Sequence, residues 1–210
     1  MSLDLIASRV LAAVPSQGRA SVAIDGVGAS GKTTFAQALA EEVTTRPVIV
    51  LHTDDFFNVA AIRHARGRNS PEGFWRDAFN TPALCTTLDH LRADGDGRYR
   101  VASIDRQTGE DREEVDLAPP DALVLVEGVF LHRAELADYW DCSIWLDVEP
   151  AEAARRMIAR DGLAPDDPRL GRYAGAQRLY DEAARPRERA TLVVDMTTPS
   201  RPRLLDSRDG

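Results

Sequence analysis

The sequence predicts a three-layer α/β/α fold on a mainly five-stranded parallel sheet. Three observations carry this. Short apolar runs without alternation, such as ALVLV at residues 122–126, recur along the chain, as expected of strands buried on both faces. Segments with apolar residues at helical spacing separate those runs. A glycine-rich loop, residues 26–31, joins the first run to the helix after it.

Each element can be justified in order. Residues 2–14 read as an amphipathic helix with Leu5 or Ile6, Val10 and Val14 on one face, stopped by Pro15. Residues 20–24 (ASVAI) form the first strand, and residues 32–43, with Phe35, Leu39 and Val43 at helical spacing, the next helix. Residues 47–51 (PVIVL) are the second strand, and residues 54–80 are less regular. Thr81 as N-cap and Pro82 as first helical residue open a helix to about residue 93, with a turn over 94–97. Residues 99–105 and 112–115 suit a hairpin around Thr108-Gly109, an insertion spanning 98–116. After Pro119-Pro120 come a third strand at 122–126, ending on Glu127-Gly128, and a fourth at 142–147 (CSIWLD). A helix over 149–160 leads into residues 161–172, rich in Gly, Pro, Asp and Arg, which read as a mobile loop inside a lid spanning 155–173. Residues 174–184 form a helix and 191–194 the fifth strand. The expected organisation is one domain over 1–196, its N-terminal helix within 1–17, and a polar, poorly ordered tail over 197–210.

Composition narrows the function classes. With 43% hydrophobic and 29% charged residues among 210, the chain is an ordinary globular domain rather than a disordered one. A net charge of -8 argues against a nucleic-acid partner, which needs a concentrated basic face. No apolar run reaches the roughly 18 residues of a membrane span, and the N-terminus, with Asp4 and no basic segment, is not expected to be a signal peptide. Cys85 and Cys142 lack metal-ligand spacing and suit reduced thiols in the cytoplasm. His52, His64, His90 and His132 show no ligand spacing either. The oligomeric state is left open.

The strongest signal is Gly26-Val27-Gly28-Ala29-Ser30-Gly31-Lys32-Thr33, a full GxxxxGKT match between a strand and a helix. Glycines let backbone N–H groups wrap a phosphate, and the helix N-terminus adds partial positive charge. Gly26, Gly28, Ala29, Ser30, Gly31, Lys32, Thr33 and Thr34 are therefore the candidate nucleotide-binding residues, for ATP or another nucleoside triphosphate. Lys32 is the only lysine among 26 basic residues, and it stands where an ammonium reaches the β and γ phosphates. The same scarcity excludes the NKxD motif of guanine-reading GTPases.

Phosphoryl transfer to a hydroxyl also needs a carboxylate at the acceptor, an acid near magnesium and cations over the moving group. Asp54 and Asp55 follow the PVIVL strand, at the strand end that faces the ligand crevice of an open α/β sheet. Asp54 is the candidate base. Thr33, Glu127 and Asp54 are the candidate Mg²⁺ residues, and Arg156 and Arg160 the candidate cations among Arg155, Arg156, Arg160, Arg169 and Arg172.

These segments together resemble the uridine kinase and phosphoribulokinase group of P-loop kinases, most of all its uridine-kinase-like proteins. The residues are IDGVGASGKTTFA (24–36), LHTDDFFN (51–58), SPEGFWRDAFN (70–80), VLVEGVFL (124–131), ARRMIARDG (154–162) and RPRERATLVVD (185–195). The resemblance implies a P-loop NTPase fold, Asp54 as base, Glu127 near magnesium, lid arginines near Arg155, Arg156 and Arg160, and Phe57 in place of the family's tyrosine. It also places acceptor contacts at Asp55, Tyr99 and Arg106. The family's base-reading hairpin acid and histidine are replaced by Arg100 and Ile104. Its ribose-binding acid falls on Asn69 in one register and Phe74 in another, so no carboxylate is retained. A nucleoside is the acceptor the resemblance implies; pantothenate, a sugar or another ribosyl compound are alternatives, as is a nucleotide sensor without kinase activity or a hydrolase that uses water.

Overall fold

A computed structural model describes residues 3–105, 108–112 and 114–205. The chain runs α1 (Leu3–Ala13), β1 (Ala20–Gly26), α2 (Lys32–Glu42), β2 (Val48–His52), a 3-10 turn (Thr53–Phe56), α3 (Ala60–Arg63), α4 (Pro71–Asp77) and α5 (Thr81–Leu91). Then follow the short strands β3 (Arg98–Arg100) and β4 (Val115–Leu117), then β5 (Leu123–Glu127), a second 3-10 turn (Ala137–Tyr139), β6 (Cys142–Asp147) and α6 (Pro150–Asp161). The chain continues through α7 (Pro168–Ala184), α8 (Pro186–Arg189), β7 (Leu192–Asp195) and β8 (Arg203–Leu205).

The main sheet has the order β2-β5-β1-β6-β7-β8. Its first five strands are parallel, as the uninterrupted apolar runs predict. Both faces are covered, and side-chain alternation sorts residues between them. Val22, Ile24, Leu123 and Leu125 join Ile6, Val10, Phe35 and Leu39 of α1 and α2 in one cluster. Ala23, Val124 and Val126 turn the other way and join Leu84, Leu88 and Leu91 of α5. A third, aromatic cluster sets Phe79, Phe130, Trp145 and Tyr180 together. Each buried Leu, Val or Phe contributes roughly 1.5–3 kcal/mol, so this sheet is the rigid base of the molecule.

Four sequence expectations need correction. The tail is not wholly irregular: Arg203–Leu205 pairs antiparallel with β7, where Leu204 packs against the core, making a sixth strand. The loop expected over 161–172 is shorter, because α7 begins at Pro168 with the Asp167 side chain accepting from Arg169 N. A proline in the first turn and an aspartate N-cap are starting signals that the Gly and Arg around them obscured. Asn80, not Thr81, caps α5, accepting from Ala83 N at 3.1 Å. The hairpin is only three residues a side, Arg98↔Leu117 to Arg100↔Val115, with one further bridge at Ile104↔Asp111. Part of the 98–116 insertion and the end of the 197–210 tail lie outside the described residues.

Strand register brings the site together. β1 and β2 both pair in register with β5, so Ile24 and His52 flank Glu127. The glycine loop, the 3-10 turn carrying Asp54, and Glu127 therefore leave the sheet at the same edge. Gly128 permits this crowding: a Cβ there would stand 1.7 Å from Thr53 Oγ1 and 2.7 Å from Thr53 Cβ. Gly128→Ala is expected to destabilise the fold by about 3 kcal/mol, the upper range of overpacking. Adding Thr53→Ala should recover part of that loss in urea unfolding, and no recovery would mean the clash lies elsewhere.

Candidate active site

The residue order Gly31-Lys32 ends a tight loop and begins α2. Gly31 adopts a left-handed conformation with φ 96°, and Ala29 is left-handed too at φ 63°. Gly26 is required by close approach, since a Cβ would meet Leu146 O and Ser30 Oγ at 2.9 Å. Lys32 folds back over this loop. Its Nζ donates to Gly26 O at 2.9 Å, Val27 O at 2.8 Å and, more weakly, Ser30 Oγ at 3.4 Å. Burial pushes its pKa down, against the pull of Glu127, Asp25 and Asp54, in that order.

Glu127 receives the next layer of contacts. Its Oε1 accepts from Thr33 Oγ1 at 2.9 Å and lies 2.7 Å from His52 Nδ1. Burial acts to raise its pKa, but the His52 hydrogen bond, the Lys32 charge and the Thr33 hydroxyl outweigh it and hold the carboxyl below its usual range. A charged carboxylate beside a threonine hydroxyl is a hard-oxygen pair that suits Mg²⁺, which keeps most of its shell as water and phosphate.

A cavity of about 420 Å³ opens on these groups. It unites Gly28, Ala29, Gly31, Lys32, Thr33 and Thr34 with Asp54, Glu127, Arg156 and Arg160. Phe57, Phe74, Phe130 and Tyr173 wall its far side. Arg156 is braced by Glu152 Oε1 at 2.7 Å and by the carbonyls of Met196 and Thr197 at 3.0 Å, while its Nη1 is buried without a hydrogen-bond partner. Arg160 forks onto Asp161 at 2.7 and 3.0 Å. Arg155 is exposed, holds Glu152, and does not line the cavity.

The remaining sequence candidates divide. Gly26 and Ser30 are buried beneath the loop rather than on the cavity surface. Phe57 stacks on Phe79 with centroids 4.8 Å apart and lines the cavity, as does Phe74. Asp55 stands outside the lining; its carbonyl accepts from Ser103 N at 2.8 Å and ties the hairpin segment to the strand end. Asn69 lines a different cavity. Tyr99 is only 6% exposed, packs in the α5 cluster and donates to Asp116 Oδ2 at 3.4 Å, so it is a core residue away from the cavity. Arg106 lies outside the described residues.

Several groups carried no readable signal. His52 becomes a partner of Glu127 only through the β2–β5 register. Tyr173 reaches the cavity because α7 starts earlier than its composition suggests, and Gln177 lies one turn further along the same helix. Under the loop, fully buried Asp25 binds Gly26 N at 2.7 Å and Leu131 N at 3.0 Å, lies 2.9 Å from His132 Nδ1, and accepts from the Tyr180 hydroxyl. That hydroxyl also accepts from His132 N at 2.8 Å. Burial and then the Asp25 charge push the Tyr180 pKa well up, keeping it a donor. Asp25 lies at the end of β1, but nothing near it in sequence marks its partners on α7 and after β5.

Fold and loop together define a three-layer α/β protein with a P-loop between β1 and α2. The particular likeness is to uridine kinases. The uridine kinase of Lactiplantibacillus plantarum is 26% identical over 185 residues, covering 82% of this chain and 85% of that protein. A solved structure described as a possible uridine kinase from Bacillus stearothermophilus superposes with TM-score 0.73 at 24% identity, covering 91% of this chain and 96% of that one. The D-glycerate 3-kinase of Cryptococcus neoformans shares the fold at TM-score 0.62 and 12% identity, over 97% of this chain and 99% of that one. No family model matches the chain. Among the described residues, no helix is long and apolar enough to cross a membrane.

Two outcomes test the geometry. Tyr180→Phe strands the His132 N–H and removes a donor from Asp25; it is expected to cost about 1–3 kcal/mol in chemical unfolding. Because Glu127 titrates below 4.5 in the folded state, its carboxylate stabilises fully above that pH and loses its effect as pH falls through the folded value. The stability gap between wild type and Glu127→Gln should therefore narrow with acidification below pH 4.5; a gap independent of pH would contradict a charged Glu127.

Proposed function

We propose that the protein is a magnesium- and nucleoside-triphosphate-dependent kinase that phosphorylates a hydroxyl of a small molecule, with ATP the expected donor. One observation carries the reading: a single cavity holds the loop amides, Lys32, Asp54, Glu127 and two lid arginines. The backbone N–H groups of residues 28–34 cradle the phosphates at the start of α2. Lys32 exchanges its carbonyl partners for phosphate oxygens. Thr33 and Glu127 would hold Mg²⁺, with Asp54 nearby; the ion, when bound, neutralises charge on the β and γ phosphates.

Asp54 orients the acceptor hydroxyl and takes its proton as the new O–P bond forms. The bond from the γ-phosphorus to the bridging oxygen breaks, leaving a nucleoside diphosphate. Arg156 and Arg160 spread over the transferring group and keep water out. The aromatic wall and Gln177 suit an acceptor with a flat or ring portion, and the uridine kinase relatives favour a nucleoside or nucleoside-like compound. Sugars, pantothenate and other ribosyl compounds remain within reach of the same chemistry. On this reading residues 1–196 are one kinase domain with its lid within 155–173, acting in the cytoplasm.

Nucleoside diphosphate release, measured with and without Mg²⁺ over a panel of nucleosides, sugars and vitamins, tests the proposal. Acceptor-stimulated release supports it; acceptor-independent release points to a hydrolase, and binding without release to a sensor. Lys32→Ala should lower turnover about 10²–10³-fold. Asp54→Asn should lower kcat far more than nucleotide affinity. If Asp55→Asn produces that pattern instead, Asp55 is the base.

A further inference from the structure

A second cavity, of about 300 Å³, is lined by Arg68, Asn69, Asp167, Pro168, Arg169 and Arg172. It adjoins the aromatic wall of the first. The Arg172 guanidinium lies 4.6 Å from the Phe74 ring and 5.6 Å from the Tyr173 ring, both of which line the larger cavity. Arg63 stacks likewise, 4.9 Å from Phe57, a third residue of that wall. A guanidinium held over a ring by cation–π attraction still has N–H donors to offer other partners.

Those donors are unspent. Arg172 is only 9% exposed, yet its Nε has no hydrogen-bond partner; Arg63 Nε and His64 Nδ1 are also buried without one. Among the described residues, Arg63, Arg68 and Arg172 make no ion pair, whereas their neighbours Arg66 and Arg169 are held by Asp77 and Asp167. The one acid of the cavity, Asp167, is thus occupied: it takes Arg169 Nε at 2.9 Å, Nη2 at 2.8 Å and the backbone N–H at 2.9 Å. The cations also depress one another. Burial first, then Arg63 and Arg68, hold the Arg172 pKa below its usual value against the opposing Tyr173; burial, Arg63, Arg172 and Arg68 do the same to His64. Uncompensated charge and stranded buried donors are costly, so a cluster that keeps them calls for a ligand to satisfy them.

We propose that Arg63, Arg68 and Arg172 bind an oxyanion, a phosphate or carboxylate group carried by the phosphoryl acceptor, so that the acceptor is an anionic small molecule. The proposal rests on the kinase reading for the word acceptor, and on the arginine cluster alone for the anion. The acceptor hydroxyl faces Asp54, its body lies along Phe57 and Phe74, and its anionic end meets the guanidinium forks, where the Asn69 amide adds a neutral donor. Paired hydrogen bonds to charged oxygens are the strongest contacts such a site offers.

Matched acceptors test this: ribose against ribose 5-phosphate, a nucleoside against its 3′-monophosphate, and glycerol against glycerate, which separate phosphate from carboxylate. The anionic member of at least one pair is expected to have kcat/KM about ten-fold or more above its neutral partner. Arg68→Gln and Arg172→Gln should each raise its KM about ten-fold with the nucleotide KM little moved. Preference for the neutral members, or equal loss on both members of a pair, overturns the proposal. An arm without turnover covers a silent panel: calorimetric titration of the Lys32→Ala protein with orthophosphate should show saturable uptake that Arg68→Gln, a change at an exposed side chain, removes. Uptake that is absent, or indifferent to Arg68→Gln, overturns it. If nucleotides fail to bind while Arg68-sensitive phosphate uptake persists, the kinase reading falls and the anion site stands.

Discussion

An ammonium group as shielded as that of Lys32 must find its counter-charge and its hydrogen bonds inside the protein, because water no longer supplies them. The loop carbonyls of Gly26 and Val27 take its hydrogens, and Glu127, Asp25 and Asp54 set the field around it. Glu127 in turn stays ionised because Lys32, His52 and Thr33 surround it. None of these groups can be removed without leaving a partner exposed in a poorly solvated place. In the proposed kinase, phosphate oxygens would take the place of the Gly26 and Val27 carbonyls about Lys32.

The loop is held from beneath as well as from the side. Asp25 fixes the first amide of the loop while accepting the hydroxyl of Tyr180, which belongs to the long helix that also presents Tyr173 and Gln177 to the cavity. A displacement of that helix is therefore felt at the phosphate loop through a fully buried polar network, where each unmet group would carry a penalty. Residues 162–167 link α6, which brings Arg156 and Arg160 to the cavity, to α7, which brings Tyr173 and Gln177.

Across the cavity the constraint changes sign. The wall of Phe57, Phe74 and Tyr173 is backed by guanidinium groups that stack on its rings, so an apolar surface on one side is tied to concentrated positive charge on the other. Packing alone would have been served by leucines. The cations there keep buried nitrogens, Arg63 Nε and Arg172 Nε, without hydrogen-bond partners.

The sequence by itself did not mark the short helices α3, α4 and α8, but it determined the five parallel strands and the helices α1, α2, α5 and α6 between them, the phosphate loop with its solitary lysine, and the placing of Asp54 and Glu127 at strand ends. These are readable because they rest on short-range rules: apolar periodicity, glycine spacing, and the position of a residue within its own element. Tertiary structure alone decided the antiparallel strand made by Arg203–Leu205, the burial of Tyr99, the seat of Asn69 in the second cavity, and the partners of Asp25. Each depends on groups distant along the chain, as with Asp25 and Tyr180, 155 residues apart. Nothing local in the sequence distinguishes an acid that will meet a buried hydroxyl from one that will meet water; only the packing of the helices on the sheet supplies that difference.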